Sequence, residues 1–203
     1  MDVVNLGVLG GTFDPIHLGH LKMAQAAYQA VGLDKVLFVP AGDPPHKQNL
    51  PLTPARQRVK MVSLAIADHP HFELSTVDID RPGPHYTVDT VTRLRTAYRL
   101  SAEECFFIIG GDSFVDLPDW YKPQQLLNSC RLAVIHRPGF WPNLTKLTGL
   151  FPNLTERITW VAMPPDPVSS TNLRRLIGRG NAVDHLLPKT VWDYIQQAGL
   201  YSI

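Results

Sequence analysis

Short apolar runs alternate with longer amphipathic segments along the whole chain. Residues 3–9, 36–39, 72–74, 105–109, 132–135 and 158–161 form the apolar runs and read as strands. Residues 18–31, 54–67, 87–98, 124–127, 171–177 and 189–198 carry apolar side chains at helical spacing. Strands that alternate with helices predict a parallel sheet covered on both faces. The run Phe106-Phe107-Ile108-Ile109 has no polar face at all, as a central strand of such a sheet requires. The fold class expected is therefore α/β, a Rossmann-like doubly wound parallel sheet with helices on both faces and a small helical part over residues 168–203. The whole of residues 1–203 reads as a single domain. Residues 140–153 are the least patterned stretch and read as a surface insertion.

The topology also says where chemistry belongs, because ligands of such sheets bind beyond the carboxyl ends of the strands. The first strand is followed by Gly10 to His20, the second by Pro40 to Lys47, and the fourth by Gly110-Gly111-Asp112-Ser113. The fifth is followed by His136-Arg137-Pro138-Gly139 and the last by residues 163–174. Most of the polar clusters thus converge on one rim of the expected sheet.

Bulk properties exclude more than they identify. With 44% hydrophobic and 18% charged residues and a net charge of +1, no global field draws this chain to nucleic acid or to an anionic membrane. No run reaches the ~18 apolar residues of a membrane span, and the first residues lack a basic stretch followed by an apolar core. The expectation is a cytoplasmic protein without nucleic-acid or membrane partners, and self-association is left open. Cys105 and Cys130 adjoin apolar runs and read as buried free thiols rather than as a disulfide or metal site.

Within the rim, Gly10-Gly11-Thr12-Phe13-Asp14-Pro15-Ile16-His17-Leu18-Gly19-His20 joins a strand to a helix. Adjacent glycines admit a ligand close to the backbone. The helix start offers unpaired N–H groups and a positive dipole end to a phosphate. His17 and His20 lie where that helix begins. The spacing matches neither of the common phosphate-loop patterns, G-x-x-x-x-G-K-[ST] and G-x-G-x-x-G. Pro44-Pro45-His46-Lys47 places a cation in a stiffened loop. Val168-Ser169-Ser170-Thr171-Asn172-Leu173-Arg174 reads as a second anion-ready helix start. Pro84-His85-Tyr86-Thr87 supplies a ring, a hydroxyl and amide donors suited to a small aromatic acid, and Trp120 offers a stacking face in a stretch read as exposed. No catalytic role falls to His69, His71, His85, His136 or His185.

Taken together, these segments resemble the bacterial nicotinate-nucleotide adenylyltransferase family of the nucleotidylyltransferase superfamily. The resemblance runs from residue 7 to about residue 201. It rests on Gly-Gly-Thr-Phe-Asp-Pro-Ile-His-x-Gly-His, Pro-Pro-His-Lys at 44–47, Tyr-Thr-x-Asp-Thr at 86–90, Gly-x-Asp-Ser at 110–113 with Trp120, and Ser-Ser-Thr-x-Leu-Arg at 169–174. It implies adenylyl transfer from ATP to nicotinate mononucleotide, giving nicotinate adenine dinucleotide and pyrophosphate. His17, His20, Lys47 and Arg174 would be catalytic. Gly10, Gly11, Thr12, Phe13, Gly110, Asp112, Ser169, Ser170 and Thr171 would bind ATP. Tyr86, Thr87 and Trp120 would bind the nicotinate mononucleotide. Mg²⁺ would come with the substrate phosphates, not in a protein cage. Two departures are His85, where relatives carry a small polar residue, and Val168 in place of Ile. The alternatives are a related transferase with another phosphate-bearing acceptor and a non-catalytic nucleotide sensor.

Overall fold

A computed structural model describes residues 4–43, 52–136, 142–164 and 166–202. Among these residues six parallel strands form: β1 Leu6–Gly11, β2 Lys35–Pro40, β3 Phe72–Leu74, β4 Cys105–Gly110, β5 Arg131–His136 and β6 Ile158–Ala162. Their spatial order is β3-β2-β1-β4-β5-β6. The chain therefore builds outward from β1 in one direction, returns to β4 beside β1, and builds outward in the other. The reversal between β1 and β4 is the switch point at which the connecting loops part and leave a crevice. Register places Leu6 beside Lys35 on one side and beside Cys105 on the other.

Strand side chains alternate between two cores, as a period of two demands. Phe38, Phe106, Ile108 and Ile135 enter one core with Leu21, Ala24 and Ala27 of α1 (Leu18–Val31) and Met61, Val62 and Ala65 of α2 (Ala55–Ile66). That core continues through Leu173 of α8 (Ser170–Gly178) and Val191 and Ile195 of α9 (Lys189–Gln197). Leu37, Val39, Phe107, Ile109 and Val134 enter the other with Val91 and Leu94 of α3 (Thr87–Tyr98) and Leu126 of α5 (Pro123–Ser129). Cys105 and Cys130 are buried free thiols in this second core, and burial pushes the Cys105 thiol up to about 12. Helix α1 stops at Gly32, whose left-handed φ of 71° closes the last turn with an N–H bond to the Tyr28 carbonyl.

Most expected elements form with their ends moved by three residues or fewer. Three short helices lie outside the expectations: α4 Gly111–Val115, α6 Leu144–Leu150 and α7 Leu154–Arg157. The stretch 140–153, read as a surface insertion, instead covers the second core from residue 144 onward. Leu147 is 3% exposed and Phe151 7% exposed, both within that core. Residues 140 and 141, and the Pro44–Lys47 segment, lie outside the described residues.

Candidate active site

Among the described residues, the turns after β1 and β4 and the segment after β6 line one cleft, through His17 and Gly19, Gly110 and Asp112, and Met163, Asp166 and Val168. His17 is the residue before the first turn of α1, with extended backbone, and its N–H donates to His20 Nδ1 at 3.2 Å. That bond assigns the proton of neutral His20 to Nε2, so the ring carries its donor on the other nitrogen. The two imidazoles stack with centroids 3.8 Å apart. Phe13 meets His20 edge-on at 5.0 Å. The Phe13 ring, expected to border a nucleotide, is 1% exposed and belongs to the first core, where it supports His20 from behind.

His17 is 6% exposed, and its Nδ1 has no hydrogen-bond partner among the described residues. Burial lowers its pKa from 6.5 to about 4, against a smaller opposing pull from Asp166. The ring is therefore neutral at physiological pH. A cleft of about 140 Å³ opens beside it, lined by Gly19, Met23, Gly110, Asp112, Met163 and Asp166 among others. Gly19 packs closely here: a Cβ there would lie 3.0 Å from His17 Nδ1 and 3.0 Å from Val168, so one of them would have to shift. Lys22 of α1 bonds Asp166 at 2.7 Å and holds that carboxyl below its usual range.

His17 carries a pH dependence of stability. The unfolded chain takes up this proton near 6.5, whereas the folded chain resists it until about 4. As pH falls through that interval the unfolded state binds more protons, so stability drops, by up to about 3 kcal/mol from this group. Urea unfolding at pH 7 and at pH 4.5 should show a smaller decline in His17→Gln than in the unsubstituted chain. Equal declines would contradict the burial assigned to this ring.

The start of α8 is bonded directly to the first loop. Ser170 Oγ donates to the Pro15 carbonyl at 2.9 Å, and Arg174 donates to the Asp14 carbonyl at 2.6 Å. Ser169 caps α8 by accepting the Asn172 N–H at 3.3 Å. Thr171 is exposed in the first turn. Two helix N-termini, each with a positive dipole end, thus share one edge of the crevice.

Tyr86, Thr87 and Trp120, the residues expected to bind the acceptor, lie apart from the lining of that cleft, toward β4. Tyr86 precedes α3 and stacks on Tyr121 with centroids 4.0 Å apart. Thr87 opens α3, whose first helical bonds come from Asp89 and Thr90 to the Tyr86 carbonyl. Trp120, read as exposed, is half-buried instead: its ring meets Phe107 of β4 edge-on at 6.0 Å. Asp112 is exposed on α4 at the cleft.

Three supporting residues escaped the sequence reading. Arg58 of α2 is 1% exposed. It donates to the carbonyls of Thr12 (2.8 Å), Ala41 (2.8 Å) and Thr53 (2.9 Å), stitching the β1 and β2 loops to the start of its own helix. Burial lowers its pKa, opposed chiefly by the nearby Asp14 carboxylate. A signal existed: Arg58, Met61, Val62 and Ala65 share one helical face, which puts an arginine at a core position. Asp14, 1% exposed, accepts the Tyr201 hydroxyl at 2.6 Å and the Thr53 N–H at 3.2 Å. Burial first, and this bond second, raise the Tyr201 pKa far enough to keep its hydroxyl a donor.

Known proteins match this arrangement along nearly its whole length. The cytidylyltransferase-like family profile matches residues 8–176. A probable nicotinate-nucleotide adenylyltransferase of Thermomicrobium roseum is 41% identical over 196 residues, covering 97% of this chain and 91% of that one. Another of that name from a Roseiflexus species is 40% identical over 201 residues, covering 99% and 100%. Among solved structures, Plasmodium falciparum nicotinic acid mononucleotide adenylyltransferase complexed with NaAD has a TM-score of 0.74 at 19% identity, covering 97% of each chain. The same protein complexed with APC has a TM-score of 0.75 at 18% identity, covering 97% of this chain and 96% of that one. At these identities the solved structures share the fold.

Proposed function

We infer the reaction from one premise: the chain belongs to the cytidylyltransferase-like family, on its nicotinate-nucleotide adenylyltransferase branch. It transfers the adenylyl group of ATP to nicotinate mononucleotide and releases pyrophosphate, a step of NAD biosynthesis. The observation that carries this reading is the hydrogen bonding of α8 to the first loop through Ser170 and Arg174. That bonding ties the start of α8, with Arg174, to the loop that leads into the His17–His20 pair.

The mechanism follows from the charges involved. The nucleophile is the 5′-phosphate of the mononucleotide, which attacks the α-phosphorus of ATP while pyrophosphate departs. An anionic nucleophile needs no general base, so alignment and charge stabilisation are the protein's tasks. We assign His17 and His20 to the phosphates around the α-phosphorus, as neutral N–H donors. Arg174, Ser169, Ser170 and Thr171 take the β- and γ-phosphates. Lys47, outside the described residues, is assigned to the same phosphates. Gly10, Gly11, Thr12 and Phe13 shape the wall of the ATP site, with Phe13 acting through His20. Gly110 and Asp112 border the nucleoside part of ATP.

Among the described residues, no group of three or more His, Cys, Asp or Glu side chains is placed to hold a metal ion. We assign Mg²⁺ as the partner of ATP, where it would offset repulsion between the reacting phosphates. Tyr86, Thr87 and Trp120 are assigned to the nicotinate end, with the carboxylate at amide donors of the α3 start. No helix of the described residues is long and apolar enough to cross a membrane, and we take residues 1–203 as one catalytic domain working in the cytoplasm.

Pyrophosphate release from ATP and Mg²⁺, with nicotinate and nicotinamide mononucleotide in parallel, tests the reading. The amide would set its own N–H₂ donors against the donors that receive the carboxylate. The loss of a charge-assisted hydrogen bond predicts a preference for the acid of roughly 10–100-fold in kcat/KM. Equal use of both would refute the carboxylate assignment. Release with neither would overturn the acceptor and redirect the search to other phosphate-bearing molecules.

A further inference from the structure

His85 is buried, and both ring nitrogens are engaged. The Asp43 N–H donates to its Nδ1 at 2.7 Å, and its Nε2 lies 3.1 Å from the Arg81 carbonyl oxygen. Nδ1 must be unprotonated to accept, so the proton sits on Nε2 and points to Arg81; one neutral tautomer satisfies both partners. The His85 N–H also donates to the Asp43 carbonyl at 3.2 Å, so the two residues exchange a pair of bonds. Only glycine lets the segments meet this closely. A Cβ on Gly42 would lie 2.4 Å from the Asp78 carbonyl oxygen and 2.8 Å from His85 Cε1, and one on Gly83 would lie 2.8 Å from Asp43 Oδ2.

The clasp is anchored on both sides. Arg81 pairs with Asp78 at 2.8 Å, and both oxygens of Asp78 receive the Thr90 hydroxyl of α3 at 2.8 Å. On the other side, Arg58 holds the Ala41 carbonyl beside the clasped Asp43. Asp43 leads directly into the segment bearing Lys47, and His85 directly precedes Tyr86 and Thr87.

We propose that His85 is a positioning residue that locks the loop after β2 to the loop opening α3, so that the phosphate-binding and acceptor-binding segments are set together. The proposal rests on the acceptor assignment above.

The test uses two substitutions. Asn at 85 offers a non-titrating oxygen near the Nδ1 position, whereas Phe keeps a ring and offers no acceptor. KM for nicotinate mononucleotide and for ATP is measured, together with amide hydrogen exchange at residues 42–43 and 85–88. His85→Phe should raise both KM values by roughly 3–10-fold and expose the Asp43 amide to exchange. His85→Asn should keep both KM values low and the Asp43 amide protected. High KM values in His85→Asn with a protected Asp43 amide, or His85→Phe with a protected Asp43 amide, would overturn the clasp. An unprotected amide with unchanged KM values would make it structural only and overturn the coupling. Because the exchange measurement needs no substrate, a wrong acceptor would silence the kinetics and leave the exchange result readable.

Discussion

Replacing His20 by alanine is expected to lower kcat for pyrophosphate release by about 10²-fold or more, the scale seen when one preorganised donor to a developing charge is lost. The ring is held on three sides. His17 stacks on one face, Phe13 meets it edge-on, and the His17 N–H occupies Nδ1. Its remaining N–H is thus fixed before substrate arrives and needs no reorganisation during the reaction. Alanine would also leave the His17 N–H without its acceptor. Glutamine at the same third helical residue can restore that bond, in the manner of a capping box, without restoring the imidazole donor. His20→Gln should therefore unfold at a temperature close to that of the unsubstituted chain and remain as slow as His20→Ala. A folded variant of either kind with near-normal turnover would sink the assignment.

Arg58→Met should cost about 3–5 kcal/mol of stability, the range for removing one partner of a buried charge pair. In a chain of this size that corresponds to a fall in Tm of roughly 10 °C. The carbonyls of Thr12, Ala41 and Thr53 would lose their donor inside the protein, and the buried Asp14 would lose the charge of a nearby cation. Lysine should rescue little, because a single ammonium cannot span carbonyls that the planar guanidinium fork reaches in several directions. Thermal unfolding followed by calorimetry decides the matter; a fall of only a degree or two for Arg58→Met would show that the loops hold together without it. Since Arg58 touches the β1 and β2 loops alike, residual activity of the variant should fall even where it remains folded.

The fold was legible because the period of the sequence matched its burial. The apolar runs at β1, β2, β4 and β5 could be stable only with both faces covered, and each does send alternate side chains into two cores. The elements that escaped notice, α4, α6 and α7, have seven residues or fewer. A helix that short spans two turns or less, too little for a periodic signal to rise above chance. Trp120 illustrates a related failure. Its polar neighbours suggested exposure, yet the ring packs on Phe107, a contact no local pattern contains.

The candidate site divides along the same line. Gly10 to His20, Tyr86 and Thr87, and Ser169 to Arg174 stood out because each is a turn that leads into a helix, and parallel-strand topology sends such turns to one rim. That much the sequence determined by itself: the chemistry available, the strands that carry it and the edge on which it gathers. The tertiary structure alone decided how those groups are held. Arg58 lies 46 residues from Thr12, His85 lies 42 from Asp43, and Tyr201 lies 187 from Asp14. Such bonds join groups that share no local period, so they exist only once the sheet has brought distant loops within reach. The neutral state of His17 has the same origin, since desolvation depends on what surrounds a ring rather than on its neighbours in the chain.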